Sequence, residues 1–489
     1  MATGFAWAMR ARLFALVSLL SGCSLAPDYH APQAPVPQAF KEGGIWKAGV
    51  PADAVPRGAW WSLYSDATLN GLEEKVESAN PNLAAAIAHY DGALGYLQQV
   101  QAGAYPTLDA GGHANADRQS ANRPLRSASQ PTYYGDNLLG LTLSWDADLF
   151  GRLRNQAAAG AALAEGVSAD LAAVRLSLQA RLAIAYVALR GQDRQAQLLQ
   201  GAIAIYDKAL TITNARHDKG VASGLDVNRA QTQLSDARAQ LSDVQAHRAL
   251  LEHAIASLVG VPASDFSLPV STASLKLPQV PVDVPSTLLQ RRPDIASAER
   301  SVAATNALIG VARAAFYPDI SLSAVAGLQN TGSDNLLNAS NALWALGPSM
   351  AMTVFDAGRH EGQLAVAKAQ NQAATATYRA TVLQAFQEVE DNLAQLDHLA
   401  QEARDKADSV AAATRTQELA LALYQNGALA FLDVVVAQTT ALQAQQAALS
   451  IETGRLEAGI NLIHALGGGW SRQEMPELSD STAVTDRPT

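Results

Sequence analysis

The sequence predicts a mainly α-helical chain that also contributes strands to a membrane β-barrel, and three observations predict it. Blocks of the chain recur at a fixed spacing, two long proline-free stretches carry heptad-spaced apolar residues, and period-two alternation precedes each of those stretches. The 489 residues carry a formal charge of -10 with no long basic run, so nothing offers nucleic acid a footprint.

At the amino end Arg10 and Arg12 precede the apolar run Leu13 to Leu20, followed by Leu20-Ser21-Gly22-Cys23. Small residues before a cysteine after a short apolar run read as a lipoprotein signal, residues 1–22, with Cys23 as the lipid attachment site. Cys23 is the only cysteine, so the lipidated chain has no disulfide and no thiol for metal, and no cofactor is expected beyond this covalent lipid. Ser24 after the cysteine resembles the outer-membrane sorting signal, so outer-membrane lipid is an expected partner. No other stretch approaches eighteen consecutive apolar residues, so a membrane crossing is expected to use strands. Six prolines from Pro27 to Pro56 mark residues 23–78 as an irregular anchored segment.

The duplication is read directly. Gly220-Val221-Ala222-Ser223-Gly224-Leu225-Asp226-Val227 recurs as Gly427-Ala428-Leu429-Ala430-Phe431-Leu432-Asp433-Val434, an offset of 207 that also pairs Gly151-Arg152 with Gly358-Arg359. Upstream, Pro81-Asn82-Leu83 pairs with Pro293-Asp294-Ile295 and Tyr105-Pro106 with Tyr317-Pro318 at an offset of 212, and the five-residue difference is expected in a loop between Pro106 and Gly151. The repeats are 79–264 and 291–470, joined by a proline-rich linker, 265–290, and followed by a flexible tail, 471–489.

No proline falls between Pro131 and Pro262 or between Pro348 and Pro476, which leaves room for long helices. Val382, Phe386, Val389, Leu393, Leu396, Ala400, Ala403, Ala407 and Val410 form a seam with steps of four and three, and Leu442, Leu449, Leu456 and Ile463 return at steps of seven. Leu199, Ile203, Tyr206 and Leu210, then Leu234, Ala237, Leu241 and Val244, do the same in the first copy. Each copy is a helical hairpin whose first arm, Arg152 to His217 or Arg359 to Tyr424, would run about 100 Å. Narrow, alanine-rich seams cannot bury such helices within one hairpin, so oligomerisation is implied.

Before the first long helix, Leu139, Leu141, Leu143 and Trp145 alternate with Gly140, Thr142, Ser144 and Asp146, and Leu108 to Ala116 alternate with Thr107, Asp109, His113, Asn115 and Asp117. Copy two repeats this with Ile320, Leu322, Ala324 and Ala326, then Leu346, Met350, Met352 and Val354. Strands of about ten residues suffice to cross the hydrocarbon layer when tilted. Four cannot close around water, so several chains must share one barrel, apolar residues toward lipid and Asp, Thr, Ser and His toward the lumen.

Cys23-Ser24-Leu25-Ala26-Pro27-Asp28-Tyr29, Trp60-Trp61 with Asp66 and Leu69, Asp148-Leu149-Phe150-Gly151-Arg152, Arg291-Arg292-Pro293-Asp294-Ile295, Phe355-Asp356-Ala357-Gly358-Arg359 and Ala465-Leu466-Gly467-Gly468-Gly469-Trp470 occur in that order. In order and spacing they resemble the NodT-type outer-membrane factors of resistance-nodulation-division (RND) efflux systems, within the TolC superfamily. The resemblance implies a homotrimer whose twelve strands form one barrel continued by a periplasmic helical tunnel. It also implies a passive duct for small toxic compounds, with a periplasmic adaptor (membrane fusion protein) and an inner-membrane RND pump as partners. It puts a periplasmic gate at the turns His217 to Asp226 and Tyr424 to Asp433. There Gly220 and Gly427 allow the left-handed residue that ends a helix, and Ser223 can cap the next one. Leu432, with Leu225 as its counterpart, fits the family's constricting leucine, while Val436 stands where some relatives carry an acid, Asp433 being the nearest. The family's turn arginine is Arg216 in copy one and Leu423 in copy two. Plain helix capping suits the same turn residues, with Asp226 and Asp433 favouring helix amino ends. At the strand-to-helix junctions Asp148, Gly151, Arg152, Asp356, Gly358 and Arg359 are expected as caps rather than pore groups.

Enzyme chemistry finds no support: there is no Gly-x-Ser-x-Gly, no His-Glu-x-x-His and no phosphate loop, and the nine histidines are scattered without metal spacing. A structural coiled-coil outer-membrane lipoprotein and a TolC-like exit for type I protein secretion remain as alternatives.

Overall fold

The computed structural model describes residues 24–42, 59–124, 127, 129–278, 288–332 and 335–470. Residues 1–22, Cys23, the tail 471–489 and the linker stretch 279–287 lie outside the described residues.

After a 3-10 turn at Trp60–Tyr64, α1 (Ala67–Ala79) leads into α2 (Pro81–Ala102), then β1 (Thr107–Arg118), β2 (Tyr133–Asp146), α3 (Arg152–Asp218) and α4 (Gly224–Leu258). Past the linker the order repeats as α5 (Pro293–Ala314), β3 (Asp319–Asn330), β4 (Ala342–Ala351), α6 (Arg359–Gln425) and α7 (Phe431–Ala465). Both long arms have 67 residues and both return arms 35. At 1.5 Å per residue the long arms span about 100 Å.

Matching devices start and stop these elements in the two copies. Pro81 and Pro293 occupy the first helical position, where a missing N–H costs nothing. Asn80 accepts from the amides of Asn82 and Leu83 and donates to Leu258 O at 2.6 Å, so the end of α4 abuts the start of α2. In copy two Arg292 makes the corresponding joint through Ala465 O at 3.1 Å. Gly260 (φ 73°) and Gly467 (φ 91°) pass so close to Ala79 O and Arg291 O that a Cβ would lie 2.2 and 2.0 Å from them. Thus α4 with α2 forms one line beside α3, and α7 with α5 forms a second beside α6.

The seams are buried from Val382 to Leu396, and again at Leu199, Tyr206, Leu234, Ala237, Val244, Leu442, Leu456 and Ile463. Ala407 is exposed in the protomer. The main core joins α1, α3, α6 and α7 through Trp60, Leu69, Leu182, Tyr186, Val389 and Leu462. Among the described residues one helix, α3, is by length and composition apolar enough to cross a membrane, but 44% of its most apolar stretch is buried inside the protein. Its alanines serve helix packing.

The strands form one antiparallel sheet in the order β1-β2-β3-β4, leaving β1 and β4 with unpaired edges. One expectation needs correction: Met352 and Val354 lie beyond β4, which ends at Ala351. The five-residue difference does fall in the hairpin loop, since Thr107↔Ser144 and Asp319↔Ala351 keep the offsets of 212 and 207 along the strands on either side of it.

Candidate functional site

Strand register assigns every sheet residue a side. Leu108↔Leu143, Leu143↔Ala324 and Ala324↔Leu346 share one face with Leu139, Leu141, Trp145, Leu322 and Met350. The other face holds Thr107↔Ser144, Asp109↔Thr142, Asn115↔Asp136 and Ser321↔Ser349. On the polar face Asp136 receives Gln329 Nε2 at 3.2 Å and lies 3.3 Å from His113 Nε2. On the apolar face Trp344 is 80% exposed, and Leu108, Leu346 and Met350 are largely exposed too. A row of bare apolar side chains backed by hydroxyls and carboxylates fits lipid on one side and water on the other.

Each junction turns the chain from strand to helix with a glycine at positive φ, Gly151 at 73° and Gly358 at 86°. Asp148 accepts from the amides of Leu153 and Arg154, both at 2.9 Å, and from Arg154 Nε. Asp356 accepts from the amides of Gly358 at 3.0 Å and His360 at 2.9 Å, and the His360 N–H holds its carboxyl below the usual range. Arg152 bonds Asp146 Oδ2 at 3.1 Å, tying α3 to the last residue of β2. Arg359 begins α6, its amide donating to Asp356 O at 3.3 Å.

The amino-terminal segment runs away from this junction. Ser24 Oγ donates to Asn155 Oδ1, Arg313 holds Leu25 O, Asn306 holds Pro27 O and Tyr29 contacts Glu299. Further along, Glu390 accepts from the amides of Lys41 and Glu42. Residue 24 is therefore held on the first turn of α3, beside the strand-to-helix junction.

At the opposite end lie the hairpin turns. Gly220 (φ 71°) and Gly427 (φ 76°) end the long arms alike: Val221 N donates to Arg216 O, and Ala428 N to Leu423 O, both at 2.9 Å. The following caps differ. Ser223 and Asp226 form a reciprocal capping box, whereas Ala430 caps α7 without a side-chain bond and leaves Asp433 as the only acid of its first turn. Arg216 reaches across copies, donating from Nη1 to Tyr424 O at 2.9 Å and lying 4.8 Å from the Tyr424 ring centre. Beneath it Tyr424, Phe431 and Val434 are buried against Ala209 and Ala230. Leu225 and Leu432 are both exposed in the protomer.

Two stretches, 72–261 and 284–468, each match the outer membrane efflux protein family. The chain belongs to that family. The double match falls on the two copies read from the sequence. The antibiotic efflux pump outer membrane protein ArpC of Pseudomonas putida is 32% identical over 459 residues, covering 93% of this chain and 94% of ArpC. The outer membrane protein OprJ of Pseudomonas aeruginosa is 30% identical over 470 residues, covering 95% and 96%. Among solved structures, the outer-membrane channel OprN aligns with a TM-score of 0.84 at 29% identity, covering 92% of this chain and all of that one. The MtrE outer membrane channel of Neisseria gonorrhoeae aligns at 0.79 and 26%, covering 92% and 99%. This efflux protein is accordingly an outer-membrane channel with a TolC-like fold, and the reading as a purely structural coiled coil falls away.

Sequence reasoning missed the buried polar chain of this efflux protein. Asp66 caps α1 and receives the Tyr186 hydroxyl, Arg190 lies over the Tyr186 ring, and Asp193 gathers Arg190, Arg248 and the Ser271 amide. Only the Arg190–Asp193 spacing was visible, and the positions 207 residues on, Asp397 and Ala400, do not repeat it.

Proposed function

We propose that this efflux protein is the passive exit duct of a tripartite pump that exports small toxic compounds. Three copies share a twelve-stranded barrel, a periplasmic adaptor and an inner-membrane RND pump engage the helical end, and the chain performs no chemistry of its own. The observation that carries this reading is a two-faced sheet with both edges unpaired, fused without a break to helices of about 100 Å. Lipid satisfies no backbone group, so the edges of β1 and β4 must pair with each other's counterparts in neighbouring copies. A pore made this way needs no energy of its own; the pump supplies it.

Lipidation at Cys23 belongs to the same reading. It is supported by the Leu20-Ser21-Gly22-Cys23 sequence and by Ser24 being held on Asn155, in the first turn of α3 at the sheet end of the helices. Leu432 at the hairpin tip narrows the periplasmic mouth. Detergent-purified protein should have the mass of three chains and give stepwise current in planar bilayers. A monomer with no current in any preparation would overturn the reading.

A further inference from the structure

At the end of the sheet farthest from the helices, the first strand hairpin carries an unbalanced charge. From Arg118 to Gly135 the chain has three arginines, Arg118, Arg123 and Arg126, and no acid, although its formal charge overall is -10. Arg118 closes β1 opposite Tyr133, the first residue of β2, and register puts both on the apolar face with Leu108 and Leu139. Asp117 and Asp136 belong to the other face, so Arg118 is the one charged residue on the apolar face among the described strands. β1 has 12 residues. At about 3.3 Å per residue and a tilt near 45° such a strand rises roughly 28 Å, the height of the apolar band of a membrane barrel. Arg118 therefore stands at the outer border of the lipid-facing surface, level with headgroups.

Arg118 is exposed, its guanidinium lies 5.6 Å from the centre of the Tyr133 ring, and neither Arg118 nor Arg123 has an ion pair among the described residues. A guanidinium lying over a ring keeps its in-plane fork of N–H donors free for a phosphate. A turn follows at once: Ser120 O accepts from Arg123 N at 3.3 Å and Ser120 Oγ from Asn122 N at 3.2 Å, which folds Arg123 back toward the end of β1. The second hairpin lacks these groups. At the offset of 212 Arg118 becomes Asn330, whose Oδ1 already takes Asn137 Nδ2 at 2.9 Å, and the loop 331–341 holds no lysine or arginine.

We propose that Arg118, Tyr133 and Arg123 form a binding site for the phosphorylated glycolipid of the outer leaflet, one site per chain. The proposal rests on the channel reading, which turns this face of the sheet toward lipid. The occupant follows from charge complementarity and height. Acyl chains beside the barrel lie along Leu108, Leu139 and Leu141, which are exposed or partly exposed in the protomer. A phosphate at the top of those chains meets two unpaired guanidiniums and no carboxylate on that side of the sheet. A zwitterionic headgroup brings no net charge to them, and headgroups of the inner leaflet lie a full strand length away, at the strand-to-helix junction. Bound there, the glycolipid fixes the depth at which the outer rim of the sheet sits in the membrane.

The test uses the full-length protein in mild detergent, stripped of native lipid, titrated with lipid and read by native mass spectrometry. Lipid A bearing both phosphates should be retained up to one molecule per chain. The double substitution Arg118→Gln with Arg123→Gln should need roughly tenfold more of it for the same occupancy, since charge-assisted bonds to phosphate are lost. Dephosphorylated lipid A and phosphatidylglycerol should be held weakly by both proteins. Arg238→Gln, at an exposed arginine on α4, should bind as the unsubstituted chain does. Oligomer mass and bilayer current should be the same in all of them. Equal retention of phosphorylated lipid A by the double variant would overturn the proposal and leave the channel reading intact. So would retention of phosphatidylglycerol or of the dephosphorylated glycolipid as strong as that of lipid A. Absence of both trimer and current in the unsubstituted protein would instead sink the channel reading, and this proposal with it.

Discussion

Replacing Asp193 by alanine probes how the proline-rich linker is held on the helices. The Asp193 side chain is fully buried and accepts three bonds: Arg248 Nε at 2.7 Å, Arg190 Nη1 at 3.0 Å and the Ser271 amide at 3.0 Å. The two guanidiniums also hold the linker backbone, Arg190 through Pro269 O at 2.8 Å and Arg248 through Leu268 O at 2.7 Å. Glu252 completes the clasp, taking Arg248 Nη1 at 3.0 Å and the Leu268 amide at 2.5 Å. Without Asp193 the partly buried Glu252 still pairs with Arg248, but Arg190, whose side chain is 6% exposed, loses the carboxylate it pairs with.

Leaving a buried charge without its partner costs about 3–5 kcal/mol. If the linker bears that cost by lifting away, the Leu268 amide should exchange with solvent roughly a hundredfold faster or more, since about 1.4 kcal/mol is tenfold. Hydrogen exchange read by mass spectrometry over 266–274 measures this in the detergent-solubilised protein. Asp207→Ala is the control: its pair with Arg238 spans 3.5 Å with both side chains more than half exposed, and such pairs contribute little. Unchanged protection at Leu268 in Asp193→Ala, or an equal change in the control, would refute the argument that the buried clasp holds the linker.

Glu73 is buried with both carboxyl oxygens unpartnered, and burial pushes its pKa up to about 9. Between the unfolded value near 4.5 and about 9 the folded state binds the extra proton, so stability falls as pH rises through that window; Glu73→Gln should flatten the fall, raising the thermal midpoint at pH 8 and changing it little at pH 4. Gly467→Ala places a methyl 2.0 Å from Arg291 O at φ 91° and should cost several times the ordinary ~1 kcal/mol of a surface change, whereas Gly92→Ala, in open space on α2, should hold or slightly raise the midpoint. Arg216→Ala removes a carbonyl donor and a cation–ring contact worth together about 1–2 kcal/mol and should speed proteolytic nicking near Asn426; an unchanged digestion rate would count against the cross-copy tie.

What the sequence made legible was whatever duplication had preserved as backbone geometry. Gly220 and Gly427, Gly260 and Gly467, and Pro81 and Pro293 each answer one steric requirement twice, so a fixed offset exposes them and with them the hairpins. Alternation exposed the two faces of the sheet because register must keep apolar residues on one side. Side-chain networks obey no such rule. Asp193 meets Arg248 at a separation of 55 and Ser271 at 78, and although Arg455 stands 207 residues beyond Arg248, Ala400 takes the place of Asp193, so no periodicity could announce the network. The strand limit at Ala351 was lost for a related reason: Met352 and Val354 continue the period-two pattern past the last paired residue, and only hydrogen bonding marks where a strand ends. The two copies therefore share what the backbone needs and differ where side chains specialise. Charged residues hold the linker and the first turn in one copy, whereas the other ends in an apolar tip whose first helical turn carries Asp433 without a side-chain cap, so side chains and not backbone set the copies apart.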